Sequence, residues 1–220
     1  MLRTSAKVNL ALEVLGKRDD GYHEIATVMQ AVDLCDRLTV ETADTVSLVV
    51  SDPALPTDDG NLIVRAAAML GEAAGATKGA RITLDKHIPV AAGLGGGSSD
   101  AAATLWALNR LWGLRWSRDR LAGLAVRLGM DVPFFLGTGR VLATGRGEQL
   151  KPLPDMTAPR APAASSALFM WRIAGTIGSA IDSRLFANAP ATVRALRVRS
   201  ASTIRRVLRA SAVHPAGTRP

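Results

Sequence analysis

Apolar and polar residues alternate over residues 5–15, with Val8, Leu10, Leu12 and Val14 on one side and Lys7, Asn9, Ala11 and Glu13 on the other. A period of two belongs to a half-buried β-strand, so this stretch predicts an apolar face turned to a core and sets Lys7 and Asn9 together on the polar face. A charged turn over residues 16–21 leads to a second extended segment at 22–32, and residues 37–41 and 45–50 read as two further strands. Residues 51–60, with Pro53, Pro56, Asp58 and Asp59, predict a surface loop. The period then changes. Residues 61–74 put Leu62, Ala66, Met69 and Ala73 on one stripe and run into Gly75, which predicts a helix and its stop. A strand at 81–88 follows, then a helix at 100–112 with Ala101, Leu105, Leu108 and Leu111 on one face, stopped by Gly113. Ser117 can cap a third helix carrying Leu121, Leu124, Ala125 and Leu128, which Gly129 ends, and residues 137–147 hold enough glycine for a tight hairpin. Strands first and helices interleaved later, without βα units of even length, predict an α+β fold.

Between the 81–88 strand and the 100–112 helix lie Pro89, Val90, Ala91, Ala92, Gly93, Leu94, Gly95, Gly96, Gly97, Ser98 and Ser99. Four glycines in five positions forfeit side-chain packing, and what they permit is close approach of a ligand to bare backbone N–H groups. A glycine loop that opens into a helix N-terminus offers unpaired donors and the positive end of the helix dipole, which together suit phosphate. Ser98 or Ser99 can cap that helix, and Asp100 suits its N-terminus electrostatically. The plainer alternative is a flexible turn that starts a helix. No lysine follows the glycines, so this is not a G-x-x-x-x-G-K-[ST] loop, and the G-x-G-x-x-G pattern is met only imperfectly.

Composition narrows the partners. The chain has 220 residues, enough for one large or two small domains with a real core, and Cys35 alone, which excludes an internal disulfide framework and suits a reducing, cytoplasmic compartment. Lys7, Asn9 and Glu13 interrupt any apolar N-terminal run, so no signal peptide is expected. The best membrane candidate, residues 167–181, is short and carries Arg172, so no membrane partner is expected. The net charge of +8 is unevenly placed: residues 1–150 hold 16 Lys and Arg against 17 Asp and Glu, whereas residues 151–220 hold 11 against 2. Basicity therefore belongs to the tail and says nothing about what the first 150 residues bind. Tail arginines scattered among alanines and valines suit general attraction to an acidic surface or nucleic acid, not specific recognition of one.

Two polar residues stand where chemistry could use them. Asp131 sits between a helix-ending glycine and the apolar Val132-Pro133-Phe134-Phe135 run, where burial would disfavour its charge unless a cation stood beside it. It reads either as a catalytic base or, more plainly, as a turn or cap carboxylate. Lys7 could be the cation, or a solvated lysine on a strand face. No His, Cys and Asp cluster has metal-ligand spacing, so no protein-built metal site is expected. Trp106, Trp112 and Trp116 suit core or rim packing.

Several separated segments together resemble one family. Lys7-Val8-Asn9-Leu10, Arg18-Asp19-Asp20-Gly21-Tyr22-His23, Asp59-Gly60-Asn61-Leu62, the glycine loop, Gly129-Met130-Asp131-Val132-Pro133-Phe134-Phe135 and Gly145-Arg146-Gly147-Glu148 occur in the order found in the 4-diphosphocytidyl-2-C-methyl-D-erythritol kinases, a branch of the GHMP kinase superfamily. The resemblance implies an α+β GHMP kinase N-terminal domain, with a ribosomal-protein-like β-α-β arrangement, over residues 1–154. It implies ATP-dependent phosphorylation of the 2-hydroxyl of a substrate that carries a cytidine diphosphate group, with Mg2+ accompanying the ATP. Asp131 would be the base and Lys7 its charge partner. Pro89 to Ser99 would hold the ATP phosphates, with Asn61 and Lys86 near the nucleotide, and Asn9, Tyr22 and His23 would meet the substrate. Residues 155–220 do not resemble the family's second α+β domain. They read as an irregular or partly helical, lysine-free tail that suits coding in a displaced frame, and reduced turnover is expected if it stands in that domain's place.

Overall fold

A computed structural model describes residues 1–75, 78–137 and 139–154. The tail predicted for residues 155–220 lies outside the described residues. Two compact units divide the chain: Met1–Val8 with Ala31–Gly139, and Asn9–Gln30 with the residues from Arg140 on. Strand β1 (Leu2–Lys17) and strand β2 (His23–Ala43) pair with each other and have residues in both units.

In the first unit, β3 (Val46–Val50), helix α1 (Leu62–Ala74) and β4 (Gly79–Asp85) form a β-α-β connection whose two strands pair in parallel, as strands joined by a helical crossover must. The end of β2 pairs antiparallel with β4, from Arg37 opposite Asp85 to Ala43 opposite Gly79. Helices α2 (Gly96–Leu111), α3 (Arg118–Leu128) and the single turn α4 (Val132–Phe135) complete this unit. Its core joins Leu38, Leu48, Ile82 and Leu84 of the strands to Ile63, Ala66 and Leu70 of α1, Leu105 and Leu108 of α2, Leu121 and Leu124 of α3 and Val132 of α4. Alanines at 101 and 102 carry little bulk where α2 is buried, so it comes close to its neighbours. In the second unit the start of β2 pairs antiparallel with β5 (Arg140–Gly145), which pairs with β6 (Gln149–Pro152).

The predicted α+β class holds, and several boundaries move. The segments expected at 22–32 and 37–41 are one 21-residue strand, since neither glycine nor proline interrupts them. Along β1 the expected apolar face fails beyond Val8: Leu12 and Val14 are exposed, while Lys7 and Ala11 of the supposed polar face are buried. Alternation marks a strand but cannot say which face a neighbour covers. The α1 stripe is shifted by about one residue, onto Ile63, Ala66, Ala67 and Leu70. Asn61 caps this helix through its side chain, and Gly75 ends it in the left-handed region. Helix α2 starts at Gly96 rather than Asp100, with Gly95 as its N-cap and no side-chain cap, so Ser98 and Ser99 lie in its first turn and do not cap it. The hairpin turns at residues 146–148, between β5 and β6, not across 137–147. Trp112 is buried and donates its indole N–H to the Gly79 carbonyl at 3.2 Å, whereas Trp106 is exposed.

Candidate active site

The glycine stretch is shaped by backbone that side chains disfavour. Ala91, Gly93 and Gly95 all have positive φ, at 57°, 72° and 70°. Gly95 is crowded as well: a Cβ there would lie 3.0 Å from the Phe135 ring and 3.1 Å from Cγ of Lys7. The first intrahelical bond of α2 runs from the Ser99 N–H to the Gly95 carbonyl at 2.9 Å, so the amides of Gly96, Gly97 and Ser98 precede the helical ladder. These amides border a cavity of about 350 Å³ lined by residues 89–98 with Leu55, Pro56, Asn61, Leu62 and Lys86. Ser99 is buried and faces a different cavity, beside Thr4, Trp106 and Phe134. The oxygen of Asn61 accepts from the Ile63 N–H and its amide donates to the Pro56 carbonyl, so the side chain is committed to the rim of the loop cavity.

Lys7 and Asp131 meet beside this loop. The ammonium of Lys7 stands 3.2 Å from a carboxylate oxygen of Asp131, with the lysine side chain 9% exposed and the aspartate 32%. Asp131 occupies the N-cap position of α4, yet its side chain makes no capping bond there, so the plainer cap reading is not what its carboxylate does. Lys7 also donates its main-chain N–H to the Leu94 carbonyl at 2.9 Å, which ties β1 to the middle of the loop. One residue thus touches both the loop and the carboxylate. A buried cation thus stands beside a carboxylate that is partly open, and so within reach of a substrate hydroxyl.

Lys86 sits in a different setting. Its ammonium reaches Asp36 at 2.6 Å and Asp100 at 2.8 Å, and all three side chains are sealed from solvent. Asp100 also accepts from the hydroxyl of Thr4 at 2.6 Å, and so belongs to this cluster, one turn into α2, rather than to the helix terminus where the sequence set it. Burial raises the Asp100 carboxyl to about 6, against the lowering pull of Lys86 and Thr4. Burial alone would lower Lys86, but Asp100 and Asp36 outweigh it and hold the ammonium above its ordinary value. The lysine therefore stays charged between its two carboxylates, while burial makes Asp100 keep its proton longer. Asp36 was missed in the sequence. The available signal was its place two residues before Leu38, on the same strand face, which buries a carboxylate and obliges it to find partners.

In the second unit Asn9 donates to the Thr27 hydroxyl at 2.7 Å, and Thr27 donates to the Ala11 carbonyl. Tyr22 is half exposed, with the Arg146 guanidinium 5.0 Å over its ring, and His23 is exposed at the start of β2. The turn before them is fixed by Arg18, which pairs with Asp20 and Glu24, while Glu24 also accepts from the Gly145 N–H. Among the described residues no group of three or more His, Cys, Asp or Glu could hold a metal ion, and no helix is long and apolar enough to cross a membrane.

Residues 61–139 match the GHMP kinases N terminal domain. The chain is 49% identical over 174 residues to a 4-diphosphocytidyl-2-C-methyl-D-erythritol kinase of Symbiobacterium thermophilum, covering 76% of this chain and 62% of that protein. It is 51% identical over 154 residues to the same kinase of Pseudomonas paraeruginosa, covering 69% and 54%. A crystal structure of 4-(cytidine 5'-diphospho)-2C-methyl-D-erythritol kinase superposes with a TM-score of 0.60 at 47% identity, over 69% of this chain and 54% of that one. A mevalonate kinase shares the fold at a TM-score of 0.55 and 16% identity. The chain spans between about half and three-fifths of the length of the curated relatives it matches. It thus carries a GHMP kinase N-terminal domain over residues 61–139.

Proposed function

We propose that the chain transfers the γ-phosphoryl group of ATP to the 2-hydroxyl of 4-diphosphocytidyl-2-C-methyl-D-erythritol, the kind of substrate named in its relatives. The observation that carries this reading is the Lys7–Asp131 pair at 3.2 Å, tied through the Lys7 N–H to the glycine loop. The loop amides and the N-terminus of α2 cradle the triphosphate, with Asn61 and Lys86 at the rim of the same cavity. Asp131 takes the proton from the substrate hydroxyl, the freed oxygen attacks the γ-phosphorus, and the bond to the β–γ bridging oxygen breaks to release ADP. Lys7 balances the carboxylate and the negative charge that develops on the attacking oxygen.

The family implies Mg2+ with the nucleotide. Carried by the phosphate oxygens, it would neutralise charge on the transferring group. Tyr22 and His23 serve cytosine, the tyrosine by the ring face opposite Arg146 and the histidine by hydrogen bonds to the base edge, and Asn9 serves the substrate pocket. Residues 1–154 form the nucleotide-binding domain in this reading. The test is transfer of labelled phosphate from γ-labelled ATP by the full chain. Label on the 2-hydroxyl of the cytidyl substrate, reduced at least about tenfold by Tyr22→Ala, supports the reading. Equal labelling of methylerythritol phosphate without the cytidine group contradicts it.

A further inference from the structure

Beyond the residues that would touch ATP, one buried carboxylate holds the phosphate loop without reaching it. Asp36 is fully buried on β2. One of its oxygens accepts the main-chain N–H of both His87, at 2.5 Å, and Ile88, at 2.7 Å, and the other accepts the Lys86 ammonium. These donors lie past the end of β4 at Asp85, where the ladder to β2 has stopped, so without Asp36 they would be amides lacking a strand partner. Pro89 follows at once.

The far side of the same cluster holds the far end of the loop. Lys86 passes the attachment to Asp100 of α2, which Thr4 anchors to β1, and the Lys86 N–H donates to the Ser51 hydroxyl at 2.8 Å. A Cβ on Gly96 would stand 2.9 Å from the Lys86 ammonium and 3.0 Å from a methyl of Ile88, so the first turn of α2 rests directly on the residues that Asp36 grips. The loop is therefore clamped before Pro89 by Asp36, in the middle by the Lys7 N–H on Leu94, and after Ser99 by Asp100.

We propose that Asp36 is the positioning residue of the phosphate loop, acting through the amides of His87 and Ile88 and through Lys86 to set the loop amides before a nucleotide arrives. Its consequence is that Lys86 serves as an internal counter-ion that shapes the site. This rests on the reading of the loop as a phosphate cradle, and the test separates the two. The full chain and Asp36→Asn are titrated with ATP and with adenosine, and both are melted thermally. Asp36→Asn keeps an acceptor oxygen but loses the charge. The expected result is a variant that remains folded, binds ATP about tenfold more weakly and binds adenosine within about twofold of the unchanged chain, because only the phosphates depend on the set of the loop.

Equal ATP affinity in the two proteins overturns the proposal, as does equal loss for ATP and adenosine, which marks Asp36 as a fold residue only. An unchanged chain that binds adenosine as well as ATP refutes the phosphate cradle itself, and the positioning role with it. Should the variant fail to fold, amide exchange in the unchanged chain decides. His87 and Ile88 amides already protected without nucleotide, and altered less than about threefold by ATP, support a preset loop. Amides that exchange freely until ATP is added overturn it.

Discussion

Two lysines stand next to the same glycine loop, each paired with aspartate, and their surroundings divide the work. Lys7 meets the carboxylate of Asp131, which is about one-third open to solvent. Lys86 meets two, Asp36 and Asp100, both sealed. A carboxylate that is to take a proton from a substrate must be reachable, and the open acid beside Lys7 is. Asp36 is closed to solvent and Asp100 nearly so where it borders the loop cavity, and two acids on one cation are held by geometry and mutual satisfaction. In the proposed reading, the same residue types at similar distances serve chemistry in one place and loop shape in the other. Exposure decides which.

The comparison can be broken from either side. The largest effect is expected at the open pair: Asp131→Asn removes the base and lowers phosphoryl transfer by about 10²–10⁴-fold, with ATP affinity within about twofold of the unchanged chain. A parallel loss of ATP binding would show that Asp131 shapes the cavity instead. At the sealed cluster Lys86→Met leaves two buried carboxylates without a cation and is expected to destabilise the fold by about 3–5 kcal/mol, read by denaturant titration. A loss below about 1 kcal/mol would mean that the acids are neutral or hydrated.

Between the pairs, Gly95→Ala puts a Cβ on a residue with φ of 70° and against Phe135 and Lys7. Destabilisation of about 1 kcal/mol or more is expected, together with weaker ATP binding, and a neutral outcome would show that the loop yields easily. The smallest effect is expected from pH. The Asp100 carboxyl is raised to about 6 by burial, above its ordinary 3.8, so between these values the folded chain binds more protons than the unfolded one. Its contribution is complete below the unfolded value and falls as pH rises through about 6. Lys86, raised above its ordinary value, works in the same direction, but only at alkaline pH, where its contribution is lost as pH rises. Melting curves across pH 4–7 should therefore slope downward in the unchanged chain relative to Asp100→Asn, and coincident profiles would remove Asp100 from the account.

What the sequence conveyed depended on whether the signal was local. The α1 helix was legible because Asn61 and Gly75 mark its ends by cap chemistry, and the glycine loop because so many glycines admit few other uses. The start of α2 was misplaced because Gly95, in a left-handed conformation, takes the N-cap position with no side chain to mark it. Lys7 and Asp131 were visible singly, but their meeting depends on β1 passing beside the loop, 124 positions from Asp131, and no local period encodes that. Asp36 was the least legible. Besides Lys86, its partners are main-chain amides of His87 and Ile88, which carry no residue-type signature.

The central claim is that backbone amides at the start of α2 hold phosphate, and calorimetric titration of the full chain with ATP, ADP and adenosine tests it most directly. The account predicts affinity rising with each phosphate, with ATP at least about tenfold tighter than adenosine. Equal affinities for ATP and adenosine would contradict it.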